Sequence, residues 1–215
     1  MPQGRGGAED DGAFLHRGET RKCTVKIEID QRGADRIHED QRAFRRLLEA
    51  FSYPGKVVVL AEGQAAHAVV LSTLADTTTP LWIDESFADI RDRAVAARWP
   101  MADRASCTFA LCRGEMLDRI DVFPKGTPAD PHLSATVIAE VTGLSGGAAL
   151  NLSGPGIGPG GRTFAPLGLP AAFLAQWTCN NAAYPLGIDL ILTAGDRCAC
   201  LPRSVRLEIS DVRSR

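Results

Sequence analysis

The densest chemistry-bearing run in the chain is Ser153-Gly-Pro-Gly-Ile-Gly-Pro-Gly-Gly-Arg-Thr163. Two phosphate-binding patterns can be drawn on it. Gly156 to Thr163 spells GxxxxGRT, one residue type from a Walker A loop, and Gly156, Gly158 and Gly161 satisfy GxGxxG after an expected strand. Both motifs need a helix opening directly out of the loop, because its first amides and its dipole hold the anion. Here Pro166, Gly168 and Pro170 interrupt the segment where that helix would have to start, and Arg162 stands where a Walker loop has lysine. Neither nucleotide fold is expected. Two readings of the loop stay open. Its glycines could let a ligand approach the backbone closely, with consecutive amides forming an anion nest; or the chain could be turning under steric constraint at a domain or subunit contact.

The other reactive side chains are scattered. No GxSxG elbow or HExxH pair occurs, and His16, His38, His67 and His132 lie far apart. His67 falls inside an expected helix and is read as structural rather than as a ligand. Cys23, Cys107, Cys112, Cys179, Cys198 and Cys200 show no CxxC and no zinc-finger spacing, so neither a disulfide framework nor a metal site is indicated. They read as buried thiols filling an apolar interior. Lysine is scarce: Lys22, Lys26, Lys56 and Lys125 are the only four, and arginine supplies the other twenty positive charges. Genome composition is the ordinary cause of such a bias. It also leaves few positions for the Schiff-base lysine of a pyridoxal-phosphate enzyme.

Residues 1–22, rich in glycine and charge, are expected to form a flexible tail ahead of a single domain over 23–215. Phe44, Leu47, Leu48 and Phe51 recur at helical spacing, which predicts an amphipathic helix ended by Pro54-Gly55. A buried strand is expected over 56–61, a helix over 64–75, a short strand at 81–83, and a helix over 86–98 capped by Ser86. Further strands are expected at 106–111, 134–141 and 148–152, the last two flanking a turn at 143–147. Pro124, Pro128 and Pro131 make 123–131 irregular, and 153–170 reads as a long loop. A helix over 170–183, strands at 186–192 and 198–201, and a last strand at 205–209 complete the pattern. Helices and strands alternate early and strands dominate late. The expected fold is α/β, a layered domain with a mixed sheet.

Composition bounds the function classes. The 215 residues carry 24 basic and 26 acidic side chains, a net charge of -2, and 45% hydrophobic residues. A chain of this length can bury roughly 70% of the surface it exposes when unfolded, so it needs no staples. The balanced charge argues against a broad nucleic-acid surface. No apolar stretch approaches the ~18 residues of a membrane span, and the start lacks a signal-peptide pattern. A cytoplasmic protein without nucleic-acid or membrane partners is expected.

Five blocks in order say more than any local motif: Phe44-Arg-Arg-Leu-Leu-Glu-Ala-Phe-Ser-Tyr-Pro-Gly55, Pro128-Ala-Asp-Pro-His-Leu-Ser-Ala-Thr-Val137, Leu152-Ser-Gly-Pro-Gly-Ile157, Asn181-Ala-Ala-Tyr-Pro-Leu-Gly-Ile-Asp-Leu190, and Thr193-Ala-Gly-Asp196 leading to Leu201-Pro-Arg203. Over about residues 38–207 the chain resembles the PhnH family, the H subunit of the carbon-phosphorus lyase system of phosphonate breakdown. The resemblance implies a fold akin to pyridoxal-phosphate-dependent transferases but without that cofactor. It implies a homodimer in isolation, and assembly with the G, I and J subunits into the lyase core complex. There ATP and an alkylphosphonate give a ribose 1-alkylphosphonate 5-triphosphate with release of adenine. The resemblance implies an activity, alpha-D-ribose 1-methylphosphonate 5-triphosphate synthase, that is expected of the complex and not of this subunit alone.

Such a step asks for departure of adenine, stabilisation of a sugar cation and positioning of two polyanions. Arginines and backbone amides position anions. The candidates for a ligand or interface cleft are therefore Arg45, Ser153, Gly154, Gly156 and Arg203. Asp189 and Asp196 could assist a sugar cation, but an apolar strand and a turn suit them better to structural hydrogen bonding. No catalytic residue is assigned. The rival reading is a free-standing enzyme holding a phosphorylated substrate on the 153–161 glycine loop.

Overall fold

The computed structural model describes residues 31–210, with side chains from His38 onward; the expected tail, together with His16, Lys22, Cys23 and Lys26, lies outside them. Its centre is a six-stranded sheet. In chain order the elements are α1 (Gln31–Ser52), β1 (Val58–Val59), α2 (Ala66–Leu74), β2 (Leu81–Ile83), α3 (Ala88–Ala96), β3 (Phe109–Arg113), β4 (Thr136–Glu140), β5 (Leu150–Ser153), β6 (Arg162–Phe164), α4 (Phe173–Ala182), β7 (Asp189–Ala194), β8 (Arg197–Leu201) and β9 (Arg206–Ile209). The large sheet runs β1-β8-β7-β4-β3-β2 and a second sheet runs β6-β5-β9. β2, β3, β4 and β7 are mutually parallel, whereas β8 and β1 add on antiparallel. The α/β class and the mixed sheet are as expected.

Alternation along the central strands builds two cores. Ala110, Cys112, Val137, Ala139, Leu190, Leu192, Ala199 and Leu201 face one side, against α4, the 3-10 segment Gly114–Val122 and the small sheet. Leu111, Ile138, Ile191, Cys198 and Cys200 face the other, against α1, α2 and α3. Burial on both faces explains why β7 reads as an unbroken apolar run rather than an alternating one. Trp177 on α4 is fully buried and its indole N–H donates to the Val205 carbonyl at 2.9 Å, tying helix to small sheet.

Three expectations are corrected. The inward stripe of α1 is Ala43, Leu47 and Ala50, while Phe44 and Leu48 are about half exposed. Alanines at i and i+7 flanking Leu47 let α1 approach α2 and β8 closely, and that outweighs the larger transfer energy of Phe44. The cap ahead of α3 is Asp84, not Ser86: its carboxylate accepts from the Ser86 amide at 3.0 Å, because a 3-10 turn, Glu85–Phe87, precedes the helix. The 153–170 segment is not all loop, since β6 pairs antiparallel with β5 and Leu152 lies opposite Arg162. The glycine run is thus a hairpin tip that leads into a strand instead of a phosphate-binding helix.

Burial makes four of the five described thiols inert. It pushes Cys107 up to about 11 and Cys112 up to about 12, and Cys200 also lies well above its ordinary value through burial and its neighbour Cys198. Cys179 alone among them is exposed. In a Cys23→Ser background one thiol should react rapidly with an aromatic disulfide and the remaining four only on unfolding. Rapid reaction of two or more, or its survival in Cys179→Ser, would contradict this packing.

Candidate functional site

Asp189 opens β7, and a tight turn at 195–196 returns the chain as β8 with Leu190 opposite Leu201. That hairpin register places Arg203 beside Asp189. The carboxylate accepts from the Arg203 amide at 2.8 Å, from Nε at 3.2 Å and from Nη2 at 2.5 Å. Nη1 donates to the carbonyls of Pro131 at 3.1 Å and Pro185 at 3.4 Å. All three guanidinium nitrogens are therefore engaged, a fork geometry that lysine could not supply. The Arg203 carbonyl in turn accepts from the Asn181 side chain at 2.9 Å. One arginine thus joins three of the blocks that carry the family resemblance.

The neighbouring Asn180 is buried and acts as a staple. Its amide group accepts from the Ile188 N–H at 2.8 Å and donates to the Ile188 carbonyl at 3.0 Å, closing the turn between α4 and β7. The sequence alone assigns neither asparagine a role, although Asn181 opens one of the resemblance blocks. Their signal is the Asn-Asn pair at the end of a helix, where side-chain amides replace missing backbone partners.

The remaining blocks meet at the glycine hairpin. Gly55, with φ +74°, sits against Leu152, Arg162 and Phe164, and its amide donates to the Cys200 carbonyl at 3.1 Å. Gly156, with φ +78°, lies where any Cβ would collide with the Ser52 carbonyl and press on Pro54. Gly154 similarly abuts the Ser204 carbonyl. The base of the hairpin is clamped between the end of α1 and the segment after Arg203, so steric need accounts for Gly154 and Gly156. Gly158 and Gly160 at the tip have nothing within 4 Å of a would-be Cβ; no packing demand explains glycine there.

The structure brings Ser153, Gly154, Gly156 and the Arg203 segment together, with Ser153 paired to Arg206. Arg45 stands apart, two turns up α1 from Ser52, about 10 Å along the helix axis. It lines two open clefts, one of about 350 Å³ with Phe44 and Thr73, the other of about 680 Å³ with Arg42, Arg46 and Glu62. Neither cleft includes Arg203 or a residue of the hairpin. Asp189 and Arg203 neutralise each other, so this pair organises the backbone and offers no free charge to a substrate. Among the described residues no group of three or more His, Cys, Asp or Glu side chains is arranged to hold a metal.

Because both side chains of the pair keep only about a fifth of their surface exposed, removing one partner strands the other. Arg203→Met and Asp189→Asn should each lower unfolding free energy by about 2–4 kcal/mol, somewhat under a fully buried pair because some water remains. The double variant should cost clearly less than the sum. Additive losses in denaturant titrations would show that the two side chains act independently.

The profile of the family described as bacterial phosphonate metabolism protein (PhnH) matches residues 32–208. The chain is 37% identical to the alpha-D-ribose 1-methylphosphonate 5-triphosphate synthase subunit PhnH of Rhizobium meliloti (strain 1021), an alignment covering 81% of this chain and 93% of that one. It is 36% identical to the putative C-P lyase subunit protein HtxG of Stutzerimonas stutzeri, over 79% of this chain and 86% of that one. With the matched region spanning both sheets and every residue of the Arg203 junction, the chain belongs to the PhnH family of bacterial phosphonate metabolism proteins.

Proposed function

We propose that this protein is a subunit of a carbon-phosphorus lyase core complex, required for forming a ribose 1-alkylphosphonate 5-triphosphate from ATP and an alkylphosphonate with release of adenine. The observation that carries this reading is the match to the Rhizobium meliloti synthase subunit across 93% of that protein's length. The G, I and J subunits are its partners, and a homodimer is its state in their absence. The compartment is the cytoplasm; no helix of the described residues is long and apolar enough to cross a membrane.

The junction geometry supports a subunit role. Arg203, Asp189, Asn180 and the clamped glycines are all occupied in holding the chain's own segments. We take the fold to be a pyridoxal-transferase scaffold that works without the cofactor. In support, the Lys56 ammonium is bound by the Glu49 carboxylate at 2.6 Å and lies over the Tyr53 ring. Added pyridoxal phosphate should give no Schiff-base absorbance band.

The rival, a free-standing enzyme on the glycine hairpin, is favoured only by the open tip at Gly158 and Gly160. Replacing Gly156 cannot discriminate, because that change breaks packing. The tip can be altered without a clash, so Gly158→Ala with Gly160→Ala is the informative variant. Co-expression with the G, I and J subunits, with purification on a tag carried by another subunit, should recover this chain in the complex. Its absence from the purified complex would overturn the subunit reading. ATP turnover by the isolated protein, lost in the tip variant, would establish the rival.

A further inference from the structure

The carboxyl edge of the large sheet holds a second group of charged side chains that the Arg203 junction does not use. β2 and β3 are parallel neighbours, but the chain leaves their ends over opposite faces. From β2 it crosses α3 on the α1–α2 face and returns outside the sheet at Met101, which bridges Leu81. From β3 it runs through Gly114–Val122 on the α4 face to β4. Where successive connections diverge in this way, α/β proteins use the strand ends for ligands, and β3, which ends at Arg113, borders that point. Arg113 and Glu140 are the last residues of β3 and β4 and lie directly opposite each other in the ladder. His67 on α2 and Phe87 close over them.

One carboxylate fixes the group. Glu140 Oε2 accepts from Arg113 Nη1, and Oε1 lies 3.4 Å from His67 Nδ1. The Arg113 guanidinium sits 4.5 Å from the centre of the Phe87 ring, and the His67 imidazole meets the same ring edge-on at 5.1 Å. A carboxylate on the Nδ1 side favours the Nδ1–H tautomer and leaves Nε2 as the proton acceptor. Arg113 is about half exposed, and its other N–H groups have no protein partner among the described residues. Asp84 shares this edge but is committed to the Ser86 amide. With the imidazole protonated, the oriented ring and the half-exposed guanidinium supply two donor groups anchored on one carboxylate.

We propose that His67 and Arg113, held in place by Glu140 and Phe87, form a binding site for a tetrahedral oxyanion of the phosphonate or phosphate class. The geometry of the site stands apart from complex membership; the choice of ligand class rests on the proposed role in phosphonate processing. Burial, with Arg113 helping, holds the His67 imidazole below its ordinary value, while Glu140 and Asp89 pull the other way. The unliganded ring is therefore neutral near pH 7. An arriving anion adds negative charge beside Nε2 and reverses the balance, so binding takes up a proton there and the Nε2–H donates to the anion.

The test uses the full chain with nitrogen-15-labelled histidine, titrated separately with methylphosphonate and with ATP. The expected result is that the His67 Nε2 resonance, assigned by its loss in His67→Gln, moves toward imidazolium while that of His132 stays. Calorimetry in two buffers of different ionisation enthalpy should show proton uptake that His67→Gln abolishes. Arg113→Gln should weaken binding about tenfold or more, and Arg113→Lys, which keeps the charge and can keep the ring contact, should recover part of it. A response to methylphosphonate identifies the free phosphonate as occupant; a response to ATP alone identifies a nucleotide phosphate. A silent His67 with both ligands, or affinity unchanged in both His67→Gln and Arg113→Gln, would overturn the site. Entry of the unsubstituted chain into the complex, with its His67 resonance silent to both ligands, would leave the subunit reading intact.

Discussion

The Arg203–Asp189 fork is the interaction on which the arrangement of this end of the molecule depends. Backbone ladders align β7 with β8, but no ladder reaches the turn before β4 or the loop after α4. A planar cation with donors in several directions can serve a carboxylate and two carbonyls at once, and the Pro131 and Pro185 carbonyls are what it finds. Each is a proline carbonyl at a bend where no strand supplies a partner. A charge that stays partly wet can hold such groups without the desolvation cost of a fully buried pair.

The glycine hairpin complements that fork sterically. Hydrogen bonds hold the segments around Arg203, whereas van der Waals exclusion holds the end of α1 against the hairpin. Both devices act on backbone rather than on side-chain identity over a surface. At Arg203, Asn180, Gly154 and Gly156 one particular residue type is geometrically required. The core strands between them need only be apolar on both faces, which many residues satisfy.

Much of this was legible beforehand. β2 lies at the expected three residues, and the hairpin of β7 and β8 is implied by its two-residue turn; counting outward from Ala194 opposite Arg197 brings Asp189 to the neighbourhood of Arg203. The same count could have retired Arg203 as a free anion binder. Other features needed distances that periodicity cannot supply. Hydrophobicity ranks Phe44 above Ala43, but the closeness of α1 to α2 and β8 decides which of them faces inward. β6, at three residues between glycine and proline, is too short to show a period of two. The contact between Arg113 and Glu140 depends on the parallel register of β3 and β4, separated in the chain by an irregular crossover. His67, read from its helix alone, could not reveal the carboxylate it faces.

The large sheet also tapers. Its interior strands run five or six residues, while the two edges, β1 and β2, have two and three. An edge that short presents too few free amides and carbonyls to template another strand. Gly55 and Lys56 precede β1, and a turn comes after it, so the edge cannot lengthen without dismantling the junction with the hairpin. Brevity therefore protects the β1 rim from edge-to-edge aggregation, while at β2 the returning chain covers the rim, the Leu81 amide donating to the Pro100 carbonyl and the Ala102 amide to the Leu81 carbonyl, and the chain can carry a strongly apolar centre while remaining a poor seed for cross-β growth.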